Sequence, residues 1–151
     1  MTLKIELTIE EAQPSLAIRF RAPAEQLPAE VGRIYGEIIS YLNGMEGVFP
    51  KAAYAAYHNM DMQDLDVEAG FTLNKPVKGK GEILESKVPA GKQVSCVYKG
   101  PYSKMESTYN AMTEWMKANH YTPTGAAYEF YLNSPTEVAE SELLTRVMFP
   151  V

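Results

Sequence analysis

The chain repeats itself at a spacing of 74 residues. Tyr54 and Tyr128, Tyr57 and Tyr131, and Asn59 and Asn133 all stand that far apart, as do Pro76-Val77 and Pro150-Val151. At the same spacing Val31, Tyr35, Ile38 and Leu42 fall on Met105, Tyr109, Met112 and Met116. A repeat of this length implies one supersecondary unit used twice, because one copy cannot bury its apolar face alone. The copies span residues 14–77 and 91–151 within a single domain, 1–151. The pseudo-two-fold between such copies is a natural place for a ligand groove. The copies also differ: where the first has Ala55, the second has Glu129.

Each copy reads as strand, helix, strand, strand. Leu16, Ile18 and Phe20 alternate with Ala17, Arg19 and Arg21, as in a half-buried strand. Pro28 suits the first turn of a helix that runs to Asn43, with Gly44 as its stop. Strands follow over 52–59 and 67–73. In the second copy Val94, Cys96 and Tyr98 alternate up to Gly100-Pro101. Ser103 and Glu106 have capping-box spacing, so the helix is expected from Ser103 to about Asn119. Strands over 125–133 and 143–149 complete the copy, and 83–88 reads as a short strand in the linker. Leu3, Ile5, Leu7 and Ile9 alternate with Thr, Lys and Glu in a further strand. The stripes 31/35/38/42 and 105/109/112/116 are core faces of amphipathic helices. The expected fold is α+β: duplicated β-α-β-β units form an antiparallel sheet with both main helices on one face.

Composition narrows the function. A net charge of −5 and the lack of any basic run argue against direct nucleic-acid binding. No segment has the length of a membrane span, and the N-terminus lacks the pattern of a signal peptide, which places the protein in the cytoplasm. The one cysteine, Cys96, cannot form an internal disulfide and reads as a buried thiol. The two histidines, His58 and His120, lack metal-ligand spacing, so neither metal nor cofactor is expected. His58 is placed on the helix face and His120 at a helix end. Asp61, Asp64 and Asp66 read as a solvated acidic loop, because their spacing is wrong for an EF-hand.

Strand alternation puts Tyr128, Phe130 and Leu132 on one face, and their bulk assigns that face to the helices. Ala127, Glu129 and Tyr131 then share the opposite face, with Ala53, Ala55 and Tyr57 equivalent to them in the first copy. Small residues leave space, aromatics make walls, and one carboxylate fixes orientation, as in a small-molecule site. The simpler alternative is a solvated glutamate on an open sheet. If Glu129 is enclosed, burial would make it an acid or base, or it would stay charged and pair with a cation beside aromatic rings. The sequence leaves both open. Trp115 lies at the edge of the helix stripe, as packing or as a stacking wall. Tyr98 and Tyr102 flank the Gly100-Pro101 corner, as rim or as packing.

Several segments together carry a family resemblance: Tyr98-Lys-Gly-Pro-Tyr102, the helix with Tyr109 and Trp115, the strand Tyr128-Glu-Phe-Tyr-Leu-Asn-Ser-Pro135, and the closing Thr145…Phe149-Pro-Val151. They resemble the GyrI-like family of effector-binding domains, also found at the C-terminus of AraC-type and MerR-type transcription regulators. The resemblance implies a duplicated β-α-β-β fold and, as in the drug-binding members, a lipophilic and often cationic ligand met in an aromatic pocket by a glutamate that corresponds to Glu129. Together with the repeat-derived face, this makes Glu129 the expected ligand anchor, with Tyr131, Tyr57, Trp115 and Tyr98 as walls and Ala55 leaving space. With no DNA-binding segment in the chain, a stand-alone binding protein is the leading expectation. Some family members resemble hydrolases of reactive electrophiles, which would make Glu129 a catalytic acid or base. The gyrase-inhibitor member acts through a protein partner, and an exposed sheet edge leaves room for a homodimer.

Overall fold

A computed structural model describes residues 3–151. Its eight strands and two main helices form an α+β fold that divides into two compact units. One unit is Glu11–Ala90; the other is Gly91–Val151 together with the residues up to Glu10. β1 (Glu6–Glu10) therefore belongs to the second unit. The first unit holds β2 (Gln13–Ala22), α1 (Leu27–Leu42), β3 (Pro50–Tyr57), β4 (Leu65–Leu73) and β5 (Leu84–Val88). The second adds β6 (Gly91–Lys99), α2 (Glu106–Ala118), β7 (Ala127–Tyr131) and β8 (Leu144–Pro150).

The two units share one topology. Antiparallel pairing orders the first as β3-β4-β2-β5 and the second as β7-β8-β6-β1. Each is a β-α-β-β motif with a fourth strand on the same edge. That strand lies next, in sequence, to the opposite unit: Glu11 and Ala12 separate β1 from β2, and Pro89 and Ala90 separate β5 from β6.

Registers show which residues correspond. Tyr57 pairs with Val67 and Ala55 with Ala69; Tyr131 pairs with Thr145 and Glu129 with Val147. The spacing of 74 thus holds for β3 and β7 but becomes 78 for β4 and β8 (Val67 to Thr145). By that register Pro150 corresponds to Thr72, each pairing with the first strand of its own motif. The Pro76-Val77 match is therefore a coincidence, since that dipeptide lies beyond β4. The asparagine match is structural. Asn59 accepts from the Asp66 amide (2.9 Å) and donates to the Asp64 carbonyl (3.0 Å). Asn133 accepts from the Leu144 amide (2.9 Å) and donates to the Glu142 carbonyl (3.1 Å). Both side chains stand in for missing ladder partners where the last two strands of a motif join.

Each helix covers one face of its own sheet. α1 starts with a proline in its first turn and stops before Gly44, whose φ of 88° favours glycine. It buries Ile34, Ile38 and Leu42 against Leu16, Ile18, Ala69 and Leu73. α2 buries Thr108, Met112 and Met116 against Val94, Cys96, Ala127, Val147 and Phe149. Contrary to the capping-box expectation, Ser103 does not cap α2. A 3-10 turn, Tyr102–Lys104, precedes the helix, and Met105 takes the N-cap position with no side-chain bond.

The faces of β7 are the reverse of those expected. Val147 and Ala127 pack with α2, and Glu129 pairs with Val147, so Ala127, Glu129 and Tyr131 lie on the helix side. Tyr128 and Phe130 face away, with rings stacked 6.2 Å apart and the Arg146 guanidinium 5.7 Å from the Phe130 centroid. Leu132 lies past the strand end and is exposed. Bulk does not mark the covered face here: Met105, Met112 and Met116 of the helix side pack with Ala127 as well as with Tyr98 and Phe149. Ala53, Ala55 and Tyr57 likewise face α1 by register with Phe71, Ala69 and Val67.

His58 is corrected by the same alternation. It lies away from α1, with Nε2 3.3 Å from Glu68. Glu68 also accepts from Tyr54 (2.6 Å) and Ser86 (2.9 Å), and the Tyr54 oxygen lies 2.9 Å from Ser15. This buried polar network meets the hydrogen-bonding needs of its members within the first unit.

Candidate functional site

Glu129 is the centre of the candidate site. It is 8% exposed, at the middle of a five-residue strand whose next inward residue is Tyr131. The Tyr131 hydroxyl donates to Oε1 at 2.9 Å. The Tyr109 hydroxyl, from the sheet-facing side of α2, donates to Oε2. Tyr109 in turn meets Phe149 edge-on, with centroids 5.8 Å apart. Tyr102, on the turn before α2, meets Tyr131 edge-on at 5.5 Å. A carboxylate is thus enclosed by aromatic rings that present hydroxyls to it.

Burial pushes the Glu129 carboxyl above the ordinary glutamate range, and the bonds from Tyr109 and Tyr131 oppose that rise. The Tyr102 phenol is also pushed up, first by burial and then by the Glu129 charge. Both oxygens of Glu129 are met by phenols, and among the described residues no cationic side chain pairs with it. Paired buried carboxylates usually face an arginine or lysine. Here the hydrogen bonds to the carboxyl come from phenols.

The other expected site residues are placed as follows. Ala55 is buried and Tyr57 half-buried on the α1 face of the first unit. Trp115 stacks on Tyr121 at 6.0 Å, with ring planes 9° apart. That stack belongs to the end of α2. The Tyr121 amide bonds the Met116 carbonyl (2.8 Å) and the His120 amide bonds the Lys117 carbonyl (3.2 Å), the two bonds of a Schellman motif. His120 takes the left-handed position with φ of 63°. Tyr98 is buried, and its hydroxyl donates to the Pro101 carbonyl at 2.8 Å. It bridges the corner at Gly100, where a Cβ would come within 2.8 Å of that hydroxyl oxygen.

Residues read as structural take structural places. Burial pushes the Cys96 thiol up to about 11, far from a reactive thiolate. Asp66 and Asp64 are held below the usual carboxylate range, chiefly by hydrogen bonds from Arg19 and Arg21. Tyr109 lies on the stripe expected to be core, and its hydroxyl ties α2 to Glu129. The clue in sequence is a tyrosine amid methionines on an apolar stripe, since a buried phenol needs a partner. Its counterpart Tyr35 donates to the Tyr54 carbonyl (2.9 Å) instead, because the first copy has alanine where a carboxylate would stand.

The fold is shared with several solved structures. The C-terminal domain of EcmrR superposes with a TM-score of 0.83 at 22% identity, covering 99% of this chain and 98% of that one. EcmrR in its DNA complex gives 0.86 at 21% identity, covering 98% of this chain, which spans 57% of the EcmrR chain. A protein solved with bound tetraphenylphosphonium gives 0.67 at 11% identity, covering 98% and 93% of the two chains. No curated protein matches the sequence. The family model of the GyrI-like small molecule binding domain matches residues 4–151, so the chain belongs to the GyrI-like family.

Proposed function

We propose that this domain binds hydrophobic organic cations, with the Glu129 carboxylate as counter-ion and Tyr109, Tyr131 and Tyr102 as aromatic walls. The carrying observation is a buried carboxylate with two phenol donors and no positive partner among the described residues. A charge in a poorly solvated setting gains most from an opposite charge, and aromatic faces add attraction to a cation. A small inorganic ion would keep its water. A bulky cation with its charge spread over aryl groups sheds water easily and offers apolar surface to the rings. The solved relative that holds tetraphenylphosphonium supports this ligand class. Trp115 and Tyr98 have packing roles, and Tyr57 and Ala55 belong to the first unit, so the proposal rests on none of the four.

Calorimetric titration of tetraphenylphosphonium into wild type and Glu129→Gln tests this. Gln keeps the shape and a hydrogen-bond acceptor while removing the charge. The expected outcome is at least tenfold weaker binding by the variant, roughly 1.4 kcal/mol. Equal affinities would show that the pocket takes the cation for its apolar surface alone.

A further inference from the structure

Two copies of one motif provide an internal control, and they differ at a second place on the helix face. Val67 in β4 is flanked by Phe20 and Tyr57. The equivalent residue in β8 is Thr145, flanked by Tyr98 and Tyr131. Both are 0% exposed. Valine and threonine have nearly the same shape, so the first copy shows that a methyl fills this position well. In the second copy the methyl is replaced by a hydroxyl, and among the described residues Thr145 Oγ1 has no hydrogen-bond partner. The flanking phenols direct their own protons elsewhere, Tyr98 to Pro101 and Tyr131 to Glu129. Leaving a buried hydroxyl unpaired is costly, and such groups in folded proteins call for an explanation.

The substitution goes with the carboxylate. The copy with Ala55 has Val67, and the copy with Glu129 has Thr145. Val147 stands opposite Glu129, and Thr145 is the next residue of β8 on that face. The diagonal separation across an antiparallel pair is about 7 Å, within the span of one aryl-substituted ligand.

We infer that Thr145 is a second polar anchor of the site, donating its hydroxyl to a hydrogen-bond acceptor on an aromatic cation held by Glu129. This rests on the reading of Glu129 as a cation anchor and adds a specificity to it: cations bearing an ether or carbonyl oxygen are preferred over all-hydrocarbon ones. Thr145 is fully buried beside Tyr131, so a ligand that reaches it must displace that ring.

The test compares Thr145→Val with wild type, using tetraphenylphosphonium and (4-methoxyphenyl)triphenylphosphonium. Thr145→Val is expected to melt at least about 2 °C higher without ligand, since it removes an unpaired buried hydroxyl. It is expected to bind tetraphenylphosphonium as wild type does. It should bind the methoxy cation about three- to tenfold more weakly, the worth of one hydrogen bond. Thr145→Ser, which keeps the hydroxyl, should retain the wild-type ratio of affinities. A lower melting temperature in Thr145→Val, or the same change for both cations, would overturn this inference while leaving the cation site intact. Failure of wild type to bind either cation would overturn the proposed function and this inference together.

Discussion

At the residue scale, the second copy departs from the first by gaining polar atoms in places where an apolar residue fits. Glu129 replaces Ala55, and Thr145 replaces Val67. Each replacement costs stability in the empty protein, one by desolvating a charge and the other by stranding a hydroxyl. Such costs are typical of functional positions. Not every odd residue is of this kind. His120 sits in the left-handed region at the end of α2, where its backbone serves the cap and glycine would be preferred. His120→Gly should therefore stabilise the fold by roughly 0.5–1 kcal/mol, raising the melting temperature without altering cation binding. A loss of stability in thermal unfolding would mean that the imidazole itself contributes, contrary to this account. Glu129 was legible as an asymmetry between copies. Thr145 was not, because it is equivalent to Val67 only through a register that shifts from 74 to 78 residues between strands.

At the element scale, alternation located each strand but not the identity of its faces. Every strand expected from sequence exists, with ends moved by a few residues. The error on β7 came from assigning large side chains to the covered side. Methionines adapt to what lies below them, and α2 packs on Ala127 and on the large Phe149 alike. The Ser-x-x-Glu spacing points to a cap at Ser103, but Gly100-Pro101 leads into a 3-10 turn and α2 starts at Glu106. The matched asparagines were visible as a repeat, though their bonding pattern was not. Asn133 fixes the start of β8 through the Leu144 amide, one residue before Thr145. Asn133→Ala should cost about 1–2 kcal/mol in denaturant unfolding and speed exchange of the Leu144 amide. Asn59→Ala should have a similar cost and speed exchange at Asp66. An unchanged Leu144 exchange rate would contradict the role assigned to Asn133.

At the scale of the whole molecule, duplication explains how one copy can take up a buried carboxylate with little change to the fold. One β-α-β-β unit, made twice, supplies two packed helix–sheet layers of the same topology. One of them retains an apolar layer; the other carries a carboxylate set among phenols. The family, the α+β content and the duplication were all legible in sequence, since they depend on period and spacing. The enclosure of Glu129 was not, because it depends on which hydroxyls from other elements arrive at it.

The central claim is that the charge on Glu129 recognises the ligand, and the pH dependence of affinity tests it most directly. Burial raises the Glu129 pKa in the empty protein, so below that raised value the carboxyl is neutral and must lose its proton to pair with a cation. The affinity for tetraphenylphosphonium, measured by calorimetry from about pH 4 to about pH 8, should therefore rise with pH, by up to about tenfold per unit, and level off above the raised pKa. Glu129→Gln should give a weak affinity that does not change across the same range. A flat profile in wild type, or a matching rise in the variant, would contradict the account.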